Sequence, residues 1–261
     1  MLNKNVINSR LYHDYLMPSR INDYEKILEN AAGLYSFQTI SSFDEIIASG
    51  KLSNCKYLII RRDVDTRAYR VLKKMLSIEQ KYNVKCSYYF RKRTLNIGLA
   101  REIARAGNEV SYHYEELAQY AYFHHIKTSE EVYASMQEIR TLFERNLYEF
   151  RKLTGLECKS VASHGDFINR KLNIFNTEIL KDEKFREKCG IYREAYDKEQ
   201  MSFVTFRIAD QGNPGFTDQA ISAIQRGEPV IYLLSHPAQW GADIWANTQE
   251  NVSRLFRGII Y

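Results

Sequence analysis

The chain has 261 residues, a formal net charge of +5 and 44% hydrophobic residues, which is enough apolar material for one substantial core. The positive excess is modest and scattered along the chain, so it argues against a nucleic-acid partner but suits an anionic small substrate. No run approaches the length of a membrane span, and the first ten residues contain no apolar signal-peptide core. We therefore expect a cytoplasmic protein with no membrane span.

The first regular element in chain order is a short capped helix from Ser41 to Gly50, closed by the glycine. Strand patterns then alternate with apolar residues at helical spacing. The predicted strands cover 57–62, 84–90, 108–113, 158–163, 203–209 and 229–235, and the helices between them cover 66–82, 96–106, 129–154 and 217–226. Such alternation predicts an α/β fold with a parallel sheet. We predict a single domain over 1–261, in which residues 1–55 form a helical extension packed on the rest.

Four cysteines, at positions 55, 86, 158 and 189, lie far apart in the chain and form no Cys-x-x-Cys pair. A thiolate zinc site needs closely spaced pairs, and a disulfide framework needs a shorter, cysteine-rich chain. The cysteine pattern therefore indicates neither, and any metal site has to come from other side chains.

Polar residues stand at the ends of four of the predicted strands. One strand runs into Asp63 and Asp65, and three others run into His113, His164 and His236. A parallel α/β sheet gathers its strand ends on one face, where such proteins keep their chemistry. The sequence thus predicts that an aspartate pair and three histidines converge there.

Asp63 and Asp65 are two residues apart, so an extended chain points both carboxylates to the same side. Two carboxylates that face each other repel unless a cation or a proton lies between them. A metal would relieve this repulsion, with one aspartate as its ligand and the other as a base. The alternative is that Asp65 caps the helix that starts at Thr66.

A lone histidine at a strand end is more often structural than a ligand, but three of the six histidines occupy such positions. Carboxylate and imidazole ligands suit Zn²⁺, and also Fe²⁺, Mn²⁺, Co²⁺ or Ni²⁺. A metal of this kind lowers the pKa of water and polarises a carbonyl, while a carboxylate and a histidine move protons. The set fits hydrolysis of an amide or an ester, with zinc as the expected cofactor.

The order of these motifs resembles the polysaccharide deacetylase superfamily, also called carbohydrate esterase family 4. The resemblance runs from about Tyr57 to Trp240. It rests on four motifs in family order: Arg61-Arg62-Asp63-Val64-Asp65, Gly107 to Glu115 ending in His113-Tyr114-Glu115, Ser163-His164-Gly165-Asp166, and Leu233 to Trp240 with His236-Pro237. The resemblance implies a distorted (β/α)7 barrel of mostly parallel strands.

The resemblance also implies roles for the matched residues. Asp63 would be the general base, Asp65 and His113 metal ligands, and His236 the general acid. The family's second metal-binding histidine falls at Leu117, so His164 is our candidate for the missing ligand, with Glu115 or Glu116 as the fallback.

Two further features depart from the family pattern. The arginine that usually orients the base is replaced near Ala162, and Arg61 or Arg62 is the candidate substitute. Val64 also separates the two aspartates, which leaves open which of them ligates. We expect Arg62, Glu115, Asp166 and Trp240 to contact the substrate, although Trp240 fits the core equally well.

The leading hypothesis is a metal-dependent hydrolase that removes an N-acyl group, most often acetyl, from an amino sugar in surface-polysaccharide biosynthesis. The substrate would be a small molecule or oligosaccharide, free or linked to a nucleotide or lipid carrier. Two alternatives remain open at this point. One is another metallohydrolase, such as a phosphoesterase or a cyclic amidohydrolase, and the other is a catalytically silent carbohydrate-binding barrel.

Overall fold

The structure, a computed structural model, describes residues 12–50, 52 and 55–260. The first ten residues, on which the absence of a signal peptide was predicted, lie outside this part. The sheet has eight strands: β1 (Ser36–Gln38), β2 (Tyr57–Val64), β3 (Ser87–Phe90), β4 (Glu109–Tyr114), β5 (Ser160–Ser163), β6 (Arg193–Glu194), β7 (Phe206–Ala209) and β8 (Val230–Ser235). Every pairing between them is parallel.

The strand order across the sheet is β6-β5-β4-β3-β2-β8-β7, and β1 pairs with the first half of β2. If the two ends of this order, β6 and β7, are placed side by side, strands β2 to β8 follow one another in chain order around a seven-stranded barrel. It is interrupted only between β6 and β7, which do not pair among the described residues. The predicted α/β fold is therefore confirmed, as a parallel sheet curled into a barrel that stays open along one seam.

The two faces of β2 show how the barrel is filled. Leu58, Ile60 and Val64 face outward and pack in the larger apolar cluster with the helices. Tyr57 and Ile59 face inward and belong to a smaller cluster inside the barrel. Because side chains alternate along a strand, the polar end of β2 also divides between these two faces.

Helices surround the sheet. They are α1 (Ile21–Ala31), α2 (Ile40–Ala48), α3 (Tyr69–Lys81), α4 (Ile97–Arg105), α5 (Glu116–Phe123), α6 (Ser129–Ala134), α7 (Met136–Thr154), α8 (Phe167–Leu172), α9 (Glu183–Lys188), α10 (Lys198–Met201), α11 (Phe216–Arg226) and α12 (Ile244–Ile260). Helix α1 contacts α3 and α11. Helix α2 adds Ile40 and Phe43 to the apolar cluster inside the barrel.

Several element boundaries differ from those predicted. Strand β2 extends to Val64 and so includes Asp63. The helix predicted over 129–154 is two helices, because Ser135 has a ψ of 13° and breaks the helical run between α6 and α7. The stretch from 164 to about 200, for which no element was predicted, contains three short α-helices, a 3-10 helix (Asn176–Leu180) and β6. Helices α5 and α12 and strand β1 were not predicted either, and helix α1 lies in the helical extension that was predicted over 1–55 without bounds.

No helix in the described part of the chain is both long and apolar enough to span a bilayer.

Helix α5 begins with a buried carboxyl whose titration affects stability. Burial raises the pKa of Glu116 to about 7, although hydrogen bonds from Tyr112 and Asn146 lower it. The unfolded chain ionises this group near 4.5. Between these two values the folded state holds a proton that the unfolded state has lost. The contribution of this proton to the free energy of unfolding is therefore complete below pH 4.5 and is lost as the pH rises toward 7.

We expect Glu116→Gln to flatten the pH dependence of the free energy of unfolding between pH 5 and 7. The contribution that is lost across this range amounts to roughly 3 kcal/mol. Urea denaturation at several pH values measures it, with the exposed Glu102→Gln as the matched control. If the free energy of unfolding of wild type and of Glu116→Gln changed with pH in the same way, Glu116 would not be the source of the pH dependence.

Candidate active site

The carboxyl ends of β2, β4, β5 and β8 meet at one end of the barrel, as the motif positions predict. Asp63, Asp65, His113, His164 and His236 line a single cavity of about 550 Å³ there. The parallel direction of all four strands brings these residues together from positions far apart in the sequence.

Asp63 is held by an arginine two residues earlier on the inward face of β2. Arg61 Nε donates to Asp63 Oδ1 and Arg61 Nη2 donates to Asp63 Oδ2, both at 2.7 Å. The guanidinium is fully buried and lies 4.3 Å from the centre of the Tyr196 ring. Arg61 therefore fixes the carboxylate in one orientation, and each oxygen keeps a lone pair for a further contact.

His113 points its Nε2 at the two aspartates. Its Nδ1 lies 2.8 Å from the carbonyl oxygen of Ala162, which can only accept a hydrogen bond, so Nδ1 carries a proton. Nε2 lies 3.2 Å from Asp65 Oδ1 and 3.4 Å from Asp63 Oδ2. A nitrogen lone pair and a carboxylate oxygen at these distances repel each other unless a cation or a proton lies between them, and Asp65 Oδ1 has no hydrogen-bond partner among the described residues.

His164 completes this group from β5. Its Nε2 lies 3.7 Å from Asp65 Oδ1, while its Nδ1 lies 3.6 Å from Glu115 Oε2. Burial and the nearby Arg91 guanidinium hold the pKa of His164 well below its usual range, so the ring is neutral at pH 7. Leu117, at the family's second histidine position, is buried in the core instead.

Two of the three ligand-atom separations in this group are compatible with a metal. Ligand atoms of a tetrahedral zinc ion lie roughly 3.4 Å from one another, because each is about 2.1 Å from the metal. The two imidazole nitrogens stand at 3.2 Å and 3.7 Å from the shared Asp65 oxygen. Asp65, His113 and His164 thus form a candidate site for a divalent metal.

A second grouping shares one residue with the first. Glu115, His164 and Asp166 each offer a ligand atom, and these atoms lie within 4.8 Å of one another. Glu115 already accepts a hydrogen bond from Arg91, and Asp166 caps helix α8 through the amide of Ile168. His164 Nδ1 and Asp65 Oδ1 both lack a hydrogen-bond partner among the described residues. We favour the first group, because Asp65 Oδ1 has no donor whereas both carboxylates of the second group already accept hydrogen bonds.

His236 belongs to a different arrangement at the end of β8. Its Nδ1 lies 2.7 Å from Asp210 Oδ1, and its backbone N–H donates to Asp210 Oδ2. Burial lowers the pKa of His236, but the Asp210 carboxylate outweighs this effect and raises it to about 9. The imidazole is therefore protonated at neutral pH. Its Nε2 lies 3.9 Å from Asp65 Oδ2 and can give up a proton there.

Two residues expected to contact substrate lie away from the cavity. Arg62 points outward from β2, is fully buried, and donates to Glu79 and Tyr24. Trp240 is 1% exposed and packs between Tyr24 and Phe216, so it has no free face for a sugar. Arg61, not Arg62, lies beside the candidate base. Of the other two expected contacts, Asp166 lines the cavity and Glu115 lies behind it, paired with Arg91.

The sequence reasoning did not identify the roles of Asp210 and Arg91. Asp210 follows β7 directly, so the strand-end rule that located the histidines also locates it. It lies in the loop 209–215, which is rich in turn residues. Trp240 Nε1 donates to Asp210 Oδ2 at 3.0 Å, so the indole holds the partner of His236.

No protein-family model and no curated protein matches this chain. Its similarity is to solved structures. One is a CE4 family pseudoenzyme from Bacillus anthracis, with 17% identity and a TM-score of 0.47, matched over 76% of this chain and 61% of that one. The chain thus spans less than two thirds of the pseudoenzyme's length.

Two further similar structures are described as enzymes. A family 4 carbohydrate esterase from Streptomyces lividans, in complex with acetate, has 14% identity, a TM-score of 0.41 and coverage of 77% of this chain and 91% of that one. A peptidoglycan deacetylase from Bacillus subtilis has 12% identity, a TM-score of 0.36 and coverage of 78% and 96%. Two of these three structures are thus described as carbohydrate esterase family 4 proteins, and the third as a peptidoglycan deacetylase.

Proposed function

We propose that this chain is a metal-dependent hydrolase that removes an N-acyl group, such as acetyl, from an amino sugar. The observation that carries the proposal is the Asp65 oxygen that stands between two imidazole nitrogens with no donor of its own. That arrangement is stable with a divalent cation bound and costs energy without one.

Asp65, His113 and His164 would hold the metal, with zinc as the expected ion. When bound, the metal supplies a Lewis acid that polarises the acyl carbonyl and lowers the pKa of water. Asp63, oriented by Arg61, takes the proton from the attacking water. His236, kept protonated by Asp210, donates a proton to the leaving nitrogen.

The substrate class rests on the cavity and on the family resemblance. A volume of about 550 Å³ suits a monosaccharide with its N-acyl group. We propose a small-molecule or oligosaccharide amino sugar as the substrate and surface-polysaccharide biosynthesis as its setting.

The proposal is tested by the metal content of the purified protein. We expect wild type reconstituted with zinc to retain about one ion per chain after desalting, as a single site of three protein ligands requires. Asp65→Ala, His113→Ala and His164→Ala should each lose most of that metal. Elemental analysis measures the content, and His124→Ala, an exposed histidine outside the cavity, is the matched control.

If His164→Ala retains the metal while the other two variants lose it, the third ligand would be Glu115 and not His164. Reconstituted wild type that stays empty would contradict the hydrolase proposal and favour the silent carbohydrate-binding barrel. Release of acetate from an N-acetylated sugar by the metal-loaded protein, with no turnover of a phosphodiester, separates the deacetylase from other metallohydrolases.

A further inference from the structure

The wall of the cavity contains more arginine than the proposed chemistry uses. Arg91, Arg93 and Arg170 all line it, from the loop after β3 and from helix α8. None of the three contacts Asp63, and none can ligate a metal. We call Arg91, Arg93 and Arg170 the arginine cluster.

The first two members are held in place by acidic side chains. Arg91 is 1% exposed and donates to Glu115 through Nη2, and Arg93 donates to Glu250 through Nη2 at 2.7 Å. The Nε atoms of both are buried and have no acceptor among the described residues. Because these two atoms lie below the surface, Arg91 and Arg93 would act on a ligand through their charge and not through Nε.

The third member has no acidic partner. Arg170 is exposed at the edge of the cavity and makes no ion pair with any residue that the structure describes. Arg61, Arg91 and Arg93 are balanced by Asp63, Glu115 and Glu250. His236 is balanced by Asp210. With a divalent metal bound beside Asp65, the charged groups at the cavity carry one more positive than negative charge, and Arg170 is the arginine there without an ion pair among the described residues.

We infer that the arginine cluster binds an anionic group carried by the amino-sugar substrate, such as a phosphate or a carboxylate. This inference rests on the proposed function and deepens it, because it names the charge of the substrate. Guanidinium groups present a planar set of donors that matches both anions and can bind either in a bidentate manner. A neutral amino sugar would leave the charge of Arg170 without a counter-ion.

The experiment compares three N-acetylated probes on the zinc-loaded full chain. They are N-acetylglucosamine, its 1-phosphate, and N-acetylmuramic acid, which carries a carboxylate. Acetate release gives KM for each probe that is hydrolysed, and calorimetry gives Kd for each that is not. We expect one anionic probe to bind at least about tenfold more tightly than the neutral sugar, as charge-assisted hydrogen bonds allow.

Arg170→Gln should reduce the ratio of the affinities for the anionic and the neutral probe about tenfold, whereas Arg170→Lys should keep part of this preference. Arg226→Gln, an exposed arginine on helix α11 before β8, is the matched control and should keep the preference. The comparison also separates the cluster from direct contact between phosphate and zinc, since that contact would survive in Arg170→Gln. The anionic probe that binds more tightly than the neutral sugar shows whether the substrate carries a phosphate or a carboxylate.

Equal affinity for all three probes, or a preference that Arg170→Gln leaves intact, would overturn this inference. Acetate release from the neutral sugar would then leave the proposed function standing. Conversely, Arg170-dependent binding of an anionic probe without acetate release would support the cluster and contradict the hydrolase.

Discussion

Replacing Asp63 with asparagine is expected to lower kcat for acyl hydrolysis by about 10²–10⁴, the usual contribution of a general base. Asparagine keeps the size of the side chain but cannot accept the proton of the attacking water. Asp65, His113 and His164 are unchanged in this variant, so the zinc content should remain that of wild type. The combination of retained metal and lost turnover identifies Asp63 as the base and not as a ligand.

A structural effect has to be separated from this chemical one. Asp63 balances the fully buried Arg61, so the substitution leaves that guanidinium with less compensation. Thermal unfolding and zinc content of Asp63→Asn therefore accompany the rate measurement. Asp218→Asn, an exposed aspartate on helix α11, is the matched control. A folded, metal-loaded Asp63→Asn that turns over at the wild-type rate would exclude Asp63 as the base.

The strand ends could be predicted from the sequence because one physical rule governs them. A run of apolar residues that stops at a polar side chain marks the carboxyl end of a buried parallel strand. Asp63, His113, His164 and His236 each lie within one residue of the carboxyl end of such a strand, and the structure brings them to one cavity. The fold class follows from the same alternation of strands and helices.

The choice between Arg61 and Arg62 needed a further step that the sequence also contains. Side chains alternate along β2, so Arg61 shares the inward face with Asp63 while Arg62 faces the helices. The residue two positions before Asp63 is Arg61, which is the arginine that forms the ion pair with Asp63.

Other parts of the site depend on contacts between distant segments. Asp210 meets His236 because β7 and β8 are neighbours in the sheet, and Arg91 meets Glu115 because β3 adjoins β4. The burial of Trp240 depends on helix α1, whose Tyr24 packs against it. The bounds of this helix and its contact with Trp240 were not predicted. Local sequence patterns carry no information about such pairs until the strand order is known.

Replacing Glu79 with glutamine is expected to cost about 3–5 kcal/mol of unfolding free energy, the largest stability effect that we predict. Glu79 and Arg62 are both fully buried between β2 and helix α3, with Arg62 Nη2 donating to Glu79 Oε1 at 2.6 Å. Tyr24 and Tyr88 also donate to this carboxylate. Glutamine preserves the shape but leaves the guanidinium buried without a countercharge. Urea denaturation measures the loss.

The paired replacement of Arg62 and Glu79 tests whether the unpaired charge of Arg62 causes the loss of stability in Glu79→Gln. Arg62→Met combined with Glu79→Leu removes both charges and keeps an apolar filling, so it should cost much less than Glu79→Gln alone. A loss below about 1 kcal/mol in Glu79→Gln, typical of exposed ion pairs, would show that water reaches Arg62. Arg62 also donates to Ser235, which accepts a hydrogen bond from Trp240, the residue that holds Asp210. The same buried charge pair thus supports the wall behind His236, and its loss should weaken both the fold and the position of the proposed acid.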